Sequence, residues 1–557
     1  MTASNRARSR TLVGIAGVSA VGTLLSRFTG LGRTVFQASV LGASGVSDAY
    51  NLANTTPNII YDLVLGGVLA GTLIPVFAHA LREDEEKGWE AISAVCTAVA
   101  VVLGVVTVVF FAAGPVIIRV LTATNHTAAA GAERKLAVSL LYLFIPQMAL
   151  YGLTTVIAAI LAARDKFAAP NYTPVLNNLI VIGVLLAFSA LVAHPTTATV
   201  RANTSAVLLL GLGTTAGVAA MALTLVPVLR RAGVDLRWVW QPRHPVVKRI
   251  LRLSGWIAAV VVANQIALLV VIRIANHTVG DFTAYTYAYQ FFLLPNAIWT
   301  VSLLAPMEKR VADLAHDRDR AGIQRQVIET IWSAMVIIIP AALGYAVLAR
   351  PAINLVLLHG NMSAHGARIT ADALIAFSLG LPTFSLFAIL MRTYQGLQDT
   401  RSMFVVYAFE NAVNIVLAVI LYPRYGIRGL AAAWGLAYAA AAAAAMWHLA
   451  RRLGGLGGGR LMLAVGAVIA ASIPTALAAW AVSTGLAHIS GGTRQLGIAV
   501  RLLVAVPAAI GVYYLAAIVL GFEEIRSRHV LRRRVTFTVP QRSDRVRTTN
   551  QRPRRPM

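Results

Sequence analysis

Residues 25–75 read LSRFTGLGRTVFQASVLGASGVSDAYNLANTTPNIIYDLVLGGVLAGTLIP, and they decide the fold because they place charges where an apolar segment tolerates them least. Arg27 and Arg33 close a helix-length apolar run that begins near Leu12, and Asp48 opens the next run. Behind it Asn51, Asn54, Asn58 and the pair Tyr61/Asp62 recur at helical spacing, drawing a polar stripe along one face. Polar groups inside a membrane span are costly, so they face a water-filled cavity or the bundle interior. Taken singly, each has a competing reading: arginines snorkel to an interface and asparagines cross-link packed helices. Taken together, the stripe and the two arginines point to a functional cavity.

The rest of the chain is of the same kind. Of 557 residues 58% are hydrophobic and 13% charged, with mean hydropathy +0.71. Soluble domains carry roughly a quarter charged residues, so this is a polytopic membrane protein. Apolar runs of spanning length fall near 11–37, 48–78, 91–114, 136–161, 173–193 and 205–229, then 250–275, 283–306, 328–349, 371–396, 403–422 and 429–450. A last pair lies at 461–485 and 497–521. The expectation is an all-α protein of fourteen transmembrane helices with both termini on one side. The basic start at Arg6, Arg8 and Arg10 mimics a signal peptide, but no small-residue cleavage site follows, and the run is read as a retained first span. Even-numbered connections with their flanks and the two tails hold 35 of the 48 Lys and Arg, which predicts cytoplasmic termini. The net charge of +26 therefore reports topology rather than nucleic-acid binding. The tail from Arg526 to Met557 is expected to be disordered and drawn to anionic headgroups.

A weak internal repeat divides the chain. Pro57-Asn58 in span 2 matches Pro295-Asn296 in span 8. Pro146, Asp165 and Asn177 match Pro382, Asp399 and Asn411, with the same Asp-to-Asn spacing in both. Six spans per repeat make two parallel lobes, residues 1–235 and 236–453, around a central cavity of the kind alternating-access transporters use. Residues 454–521 add two helices after a glycine-rich link, and 522–557 form the basic tail. Chance coincidence of prolines and asparagines is the competing reading.

No Walker A loop, HExxH, paired cysteines or GxSxG elbow in a soluble context occurs; Cys96 is the only cysteine, and the histidines are scattered. Nothing in these residues supports an enzyme. Arg27 and Arg33 point about 120° apart on a straight helix, and Gly30 and Gly32 allow a bend that would aim both at one ligand. Guanidinium forks take phosphate oxygens bidentately, so the pair suits a diphosphate. Span 11 carries Glu410, Asn411 and Asn414, of which Glu410 and Asn414 share a face. They make a candidate site for Na⁺ or a proton, and an interhelical hydrogen-bond cluster is the competing reading.

The wording S-R-F-T-G-L-G-R from Ser26, G-A-S-G-V-S-D-A-Y from Gly42, P-N at 57–58 and L-x-x-G-G-V-L-x-x-x-L-I-P from Leu63 resembles the MurJ/MviN lipid II flippases of the MOP exporter superfamily. The resemblance covers nearly the whole chain. It implies alternating-access export of a polyprenyl-diphosphate-linked glycopeptide across the cytoplasmic membrane, a cationic central cavity, and a groove for the lipid tail in the last two helices. It also implies partners among cell-wall synthesis or division proteins, and no cofactor beyond a coupling ion. Arg27, Arg33 and Asp48 match the family's functional charged positions. Three positions depart: Tyr61, followed by Asp62, stands where many relatives carry an arginine, Gly66 replaces a frequent glutamate, and Gln290 replaces an arginine in span 8. The wording around IIYDLVLGGVL is similar to actinobacterial members, some of which continue into a kinase-like domain. The expected substrate-binding set is thus Arg27, Arg33, Asp48, Asn51, Asn58, Tyr61 and Gln290. Alternatives are export of another polyprenyl-diphosphate-linked glycan and a non-transporting membrane scaffold; a cationic-drug exporter is disfavoured by the arginines.

Overall fold

A computed structural model describes residues 3–63, 73–125, 130–164, 166, 168–234, 236–456, 458–489 and 495–522. Gly66 and its motif, His126, Asp165, Gly457 and the basic tail lie outside the described residues. Among the described residues there are helices and no strands. The first series comprises α1 (Ala3–Leu41), α2 (Gly45–Tyr61), α3 (Ile74–Glu83), α4 (Glu85–Leu121), α5 (Ala130–Phe144), α6 (Gln147–Ala163), α7 (Ala168–Leu191), the short α8 (Thr197–Ala202) and α9 (Thr204–Arg231). The second comprises α10 (Pro245–Ala275), α11 (Asp281–Pro295), α12 (Val301–His316), α13 (Arg320–Leu357), α14 (Ala364–Gly396) and α15 (Thr400–Leu453). Then come α16 (Gly458–Ile489) and α17 (Gln495–Val519).

Eleven stretches of helix among the described residues are long and apolar enough to cross a membrane, so the protein is an integral membrane protein. Two of them are composite, α5 with α6 and α11 with α12. A third, α15, has 54 residues, about 80 Å if straight against a hydrocarbon core of about 30 Å. It cannot be one span. It bends at Gly426, whose φ of 55° and ψ of −139° suit glycine alone. The expected fourteen is reached only by counting α15 twice and adding α1 and the α2–α3 segment, whose middle lies outside the described residues.

Local chemistry explains the element ends. Side-chain oxygens of Ser44, Asp84, Ser363 and Asp399 accept backbone N–H bonds at the starts of α2, α4, α14 and α15. The two proline–asparagine pairs have the same consequence. A π turn at residues 62–63 follows Pro57-Asn58, and a π-helical segment, Asn296–Thr300, follows Pro295. Proline removes one helical hydrogen bond and widens the turn in both places.

Packing follows the chain. α1 lies on α7, α7 and α6 on α9, and α2 on α5; later α10 lies on α15, α11 and α13 on α14, and α14 on α15. The two series meet where α11 touches α1 and α2, where α13 touches α1, and where α10 touches α4. α16 and α17 pack on each other and on α13. A stack of Phe292, Phe377, Phe384, Trp434 and Tyr438 fills the second series.

Candidate functional site

Arg27 and Arg33 line one cavity of about 330 Å³, and Gln290 of α11 joins them. α1 supplies Thr23, Ser26 and both arginines; α7 supplies Asn171 and Asn178. The cavity therefore sits between the first and second series. α1 runs as a single helix through Gly30 and Gly32, and the cavity is broad enough to take both arginines from it. Gly30 serves packing instead: a Cβ there would stand 3.5 Å from Asn178 Nδ2. That amide donates to Ser26 O (3.2 Å) and to Thr29 Oγ1 (3.1 Å), pinning α7 against the arginine turn. Sequence reasoning missed Asn171 and Asn178. Their signal was the P-N-Y-T-P-V-L-N-N run at 170–178, which reads as a polar stripe of its own.

The polar stripe of α2 does not join this cavity. Asp48 is buried and accepts from Gly280 N (2.5 Å), Thr283 N (2.9 Å) and Thr283 Oγ1 (2.6 Å). It caps α11 from across the two series. Asn51 Nδ2 donates to Thr283 Oγ1 at 3.2 Å, and Asn51 Oδ1 accepts from Gln37 at 2.7 Å. Ser47 and Tyr287 share a hydroxyl contact of 3.1 Å. Asn58 donates to Asn54 O within its own helix (3.1 Å), and the Tyr61 hydroxyl lies 2.5 Å from Thr155 Oγ1. Gln265 Nε2 donates to Asp62 at 3.1 Å. Of the seven expected binding residues, then, Arg27, Arg33 and Gln290 meet in the cavity. Asp48 and Asn51 instead help to close one end of the molecule.

That end is sealed largely by main chain. Asn361 N donates to Ser39 O at 2.7 Å, and Asn361 Nδ2 donates to Val40 O and Ala193 O at 2.9 Å each. Its Oδ1 lies 3.3 Å from His194 Nδ1. Gly360 has φ +57°, and a Cβ there would stand 2.4 Å from Ser39 O, so only glycine permits the approach. The arginine cavity lies toward the opposite end, where α6 gives way to α7.

Glu410, Asn411 and Asn414 line a second cavity of about 340 Å³ with Asn264, Tyr289, Trp434 and Tyr438. All three are buried. Asn411 Nδ2 donates to Asn264 Oδ1 and Tyr407 O, 2.7 Å each. Asn414 Oδ1 is buried with no hydrogen-bond partner. One carboxylate and one orphaned amide oxygen are the hard oxygen donors a cation or proton takes. Among the described residues no group of three His, Cys, Asp or Glu could hold a metal ion.

A family model described as lipid II flippase MurJ matches residues 37–505. A probable lipid II flippase MurJ of Rhizobium tropici is 28% identical over 420 residues, 74% of this chain and 76% of that one. Its counterpart in Synechocystis is 26% identical over 471 residues, 83% and 86%. Among solved structures, a lipid II flippase MurJ in an inward closed conformation superposes with TM-score 0.73 at 19% identity, covering 91% of this chain and 99% of that one. An inward-facing multidrug resistance MATE transporter of the MOP superfamily follows at TM-score 0.65 and 15% identity, 80% and 99% covered. The family model spans most of the chain, the curated relatives span most of their own length, and the helical architecture agrees: the chain belongs to the MurJ lipid II flippase family.

Proposed function

We propose that this chain moves lipid II, the lipid-linked peptidoglycan precursor, from the inner to the outer leaflet of the cytoplasmic membrane, acting as a carrier and not as an enzyme. One observation carries the reading beyond family membership: two arginines from one helix line a single cavity between the two helix series. Its volume lies within the range of ligand pockets, and two guanidinium forks there match a diphosphate linking sugar to lipid. The series 1–235 and 236–453 act as lobes that rock about this cavity, residues 454–521 hold the lipid tail, and the fourteen spans leave both termini cytoplasmic. Glu410, Asn411 and Asn414 hold Na⁺ or a proton that resets the cycle; the orphaned Asn414 oxygen supports this.

Depletion of the protein in its host, with lipid II orientation assayed at the cell surface, tests the reading. Lipid II accumulates on the cytoplasmic leaflet; wild type rescues it, and Arg27→Ala, at equal abundance in the membrane, does not. Normal exposure on depletion would overturn the substrate, and rescue by Arg27→Ala would overturn the site. The neutral Gln290 in the cavity favours one second reading, export of another polyprenyl-diphosphate-linked glycan. Unchanged lipid II with loss of such a glycan identifies it.

A further inference from the structure

Away from both cavities, a groove of about 600 Å³ runs between α14 and α15 on the outside of the bundle. Its floor is small and flat. Gly380 and Gly435 face each other so closely that a Cβ on Gly380 would stand 2.6 Å from Gly435 Cα, and Ala376, Ala432 and Ala439 continue the floor. Leu379, Leu436 and Tyr425 form its walls and are 60%, 52% and 62% exposed, so in a membrane the groove opens to lipid. At one end two arginines converge on one carboxylate. Arg350 Nη2 donates to Asp372 Oδ1 at 3.3 Å, and Arg428 Nη2 donates to Asp372 Oδ2 at 2.5 Å. The aspartate side chain is 6% exposed, whereas those of Arg350 and Arg428 remain 63% and 57% exposed.

We propose that this groove is a binding site for an anionic phospholipid, with its phosphodiester on Arg350 and Arg428 and an acyl chain on the glycine–alanine floor. Each guanidinium has five donors and gives one to Asp372 here, so most of each fork is free for phosphate oxygens. The depth is right. α14 has 33 residues and is about 50 Å long, so about 10 Å extends past each face of a 30 Å core. With α14 centred on the core, Asp372 lies eight residues from its start, about 12 Å along it, at the hydrocarbon boundary, from which the long arginine side chains reach the headgroups. Charge selects the occupant. Asp372 cancels one of the two positive charges, leaving a single net charge that suits a phosphodiester. A diphosphate is better served by the arginine pair of the central cavity, where no carboxylate is among the lining residues.

Native mass spectrometry of the purified full chain, released from micelles doped with equal phosphatidylglycerol and phosphatidylethanolamine, tests this. Wild type retains phosphatidylglycerol about tenfold over phosphatidylethanolamine, a difference of about 1.4 kcal/mol. R350Q/R428Q loses that preference, and Arg392→Gln, which removes a cation from the other end of α14, keeps it. Ala432→Phe leaves every charge in place but fills the floor, and it also lowers retention. Asp372→Asn releases both forks and raises retention. A carboxylate that serves only as a structural ion pair would give no such gain, so the prediction holds its sign even where the double arginine variant folds poorly. Equal retention of the two lipids by wild type, or a preference that survives R350Q/R428Q, would overturn the proposal. Displacement of phosphatidylglycerol by an equal amount of polyprenyl diphosphate would overturn it too, and assign the groove to the transported lipid.

Discussion

Arg27 and Arg33 were legible in the sequence because a charge inside an apolar run has few ways to be tolerated, and a cavity is one of them. Asp48 was legible as unusual but not in its partner, since Gly280 and Thr283 are more than 230 residues away and nothing local announces them. A buried carboxylate reads the same in a sequence whether it meets ligand, ion or backbone. In this structure Asp48 meets backbone, with the Thr283 hydroxyl beside it. Asp48→Ala leaves two buried N–H groups of α11 without an acceptor, at about 1–3 kcal/mol. The variant is therefore expected to melt several degrees lower in detergent, with a loss that Arg27→Ala does not share. Asn178 shows the opposite case, a cavity residue plainly present in a polar run yet eclipsed by the more conspicuous charges.

At the scale of the element, hydropathy and turn chemistry foretold most of what is seen. The apolar runs at 403–422 and 429–450 are the two arms of α15, whereas Pro57 and Pro295, read in the sequence only as marks of a repeat, each precede a widened turn. The joint between them was hidden, because Gly426 continues the backbone hydrogen bonding while turning the axis. No atom stands within 4 Å of a Cβ placed on Gly426, so Gly426→Ala meets no clash. Its whole effect is conformational, a loss of about 1–3 kcal/mol read as a lower Tm with unchanged packing elsewhere. The start of α15 adds a pH signature. Burial raises the Asp399 carboxyl, but the Ser402 N–H and the Arg452 guanidinium outweigh it and hold the group below its ordinary 3.8. A depressed carboxylate stabilises above the unfolded value and loses that contribution as pH falls through the folded one. Wild type is therefore expected to lose more stability than Asp399→Asn between pH 6 and pH 3. With a half-exposed arginine as partner the difference stays under about 1 kcal/mol.

For the whole molecule, the family and the all-helical membrane architecture were within reach of sequence, while the state of the ends was not. Nothing in an apolar pattern says which end of a transporter is shut. Here the end built from residues 39–48, 280–287 and 360–361 is closed, and the arginine cavity lies toward the other end. In a Cys96→Ser background, Ser39→Cys with Asn361→Cys places two thiols at the contact where Asn361 N meets Ser39 O. A short bis-thiosulfonate should join them, stop lipid II export in cells, and release it again on reduction. Either single cysteine should leave export intact after the same treatment. Export that continues in the cross-linked pair would mean that this end need not open.

The convergence of so many bonds on Asn361 has a kinetic corollary. Its amide and its side chain hold three separate chain segments at once, the end of α1, the turn at Ala193–His194 and its own turn. A clasp of that kind has no half-fastened position, because loosening one segment misaligns the donors that serve the others. Single-molecule distance traces across this end should therefore show two discrete levels with abrupt steps, and Asn361→Ala should blur them into a drift.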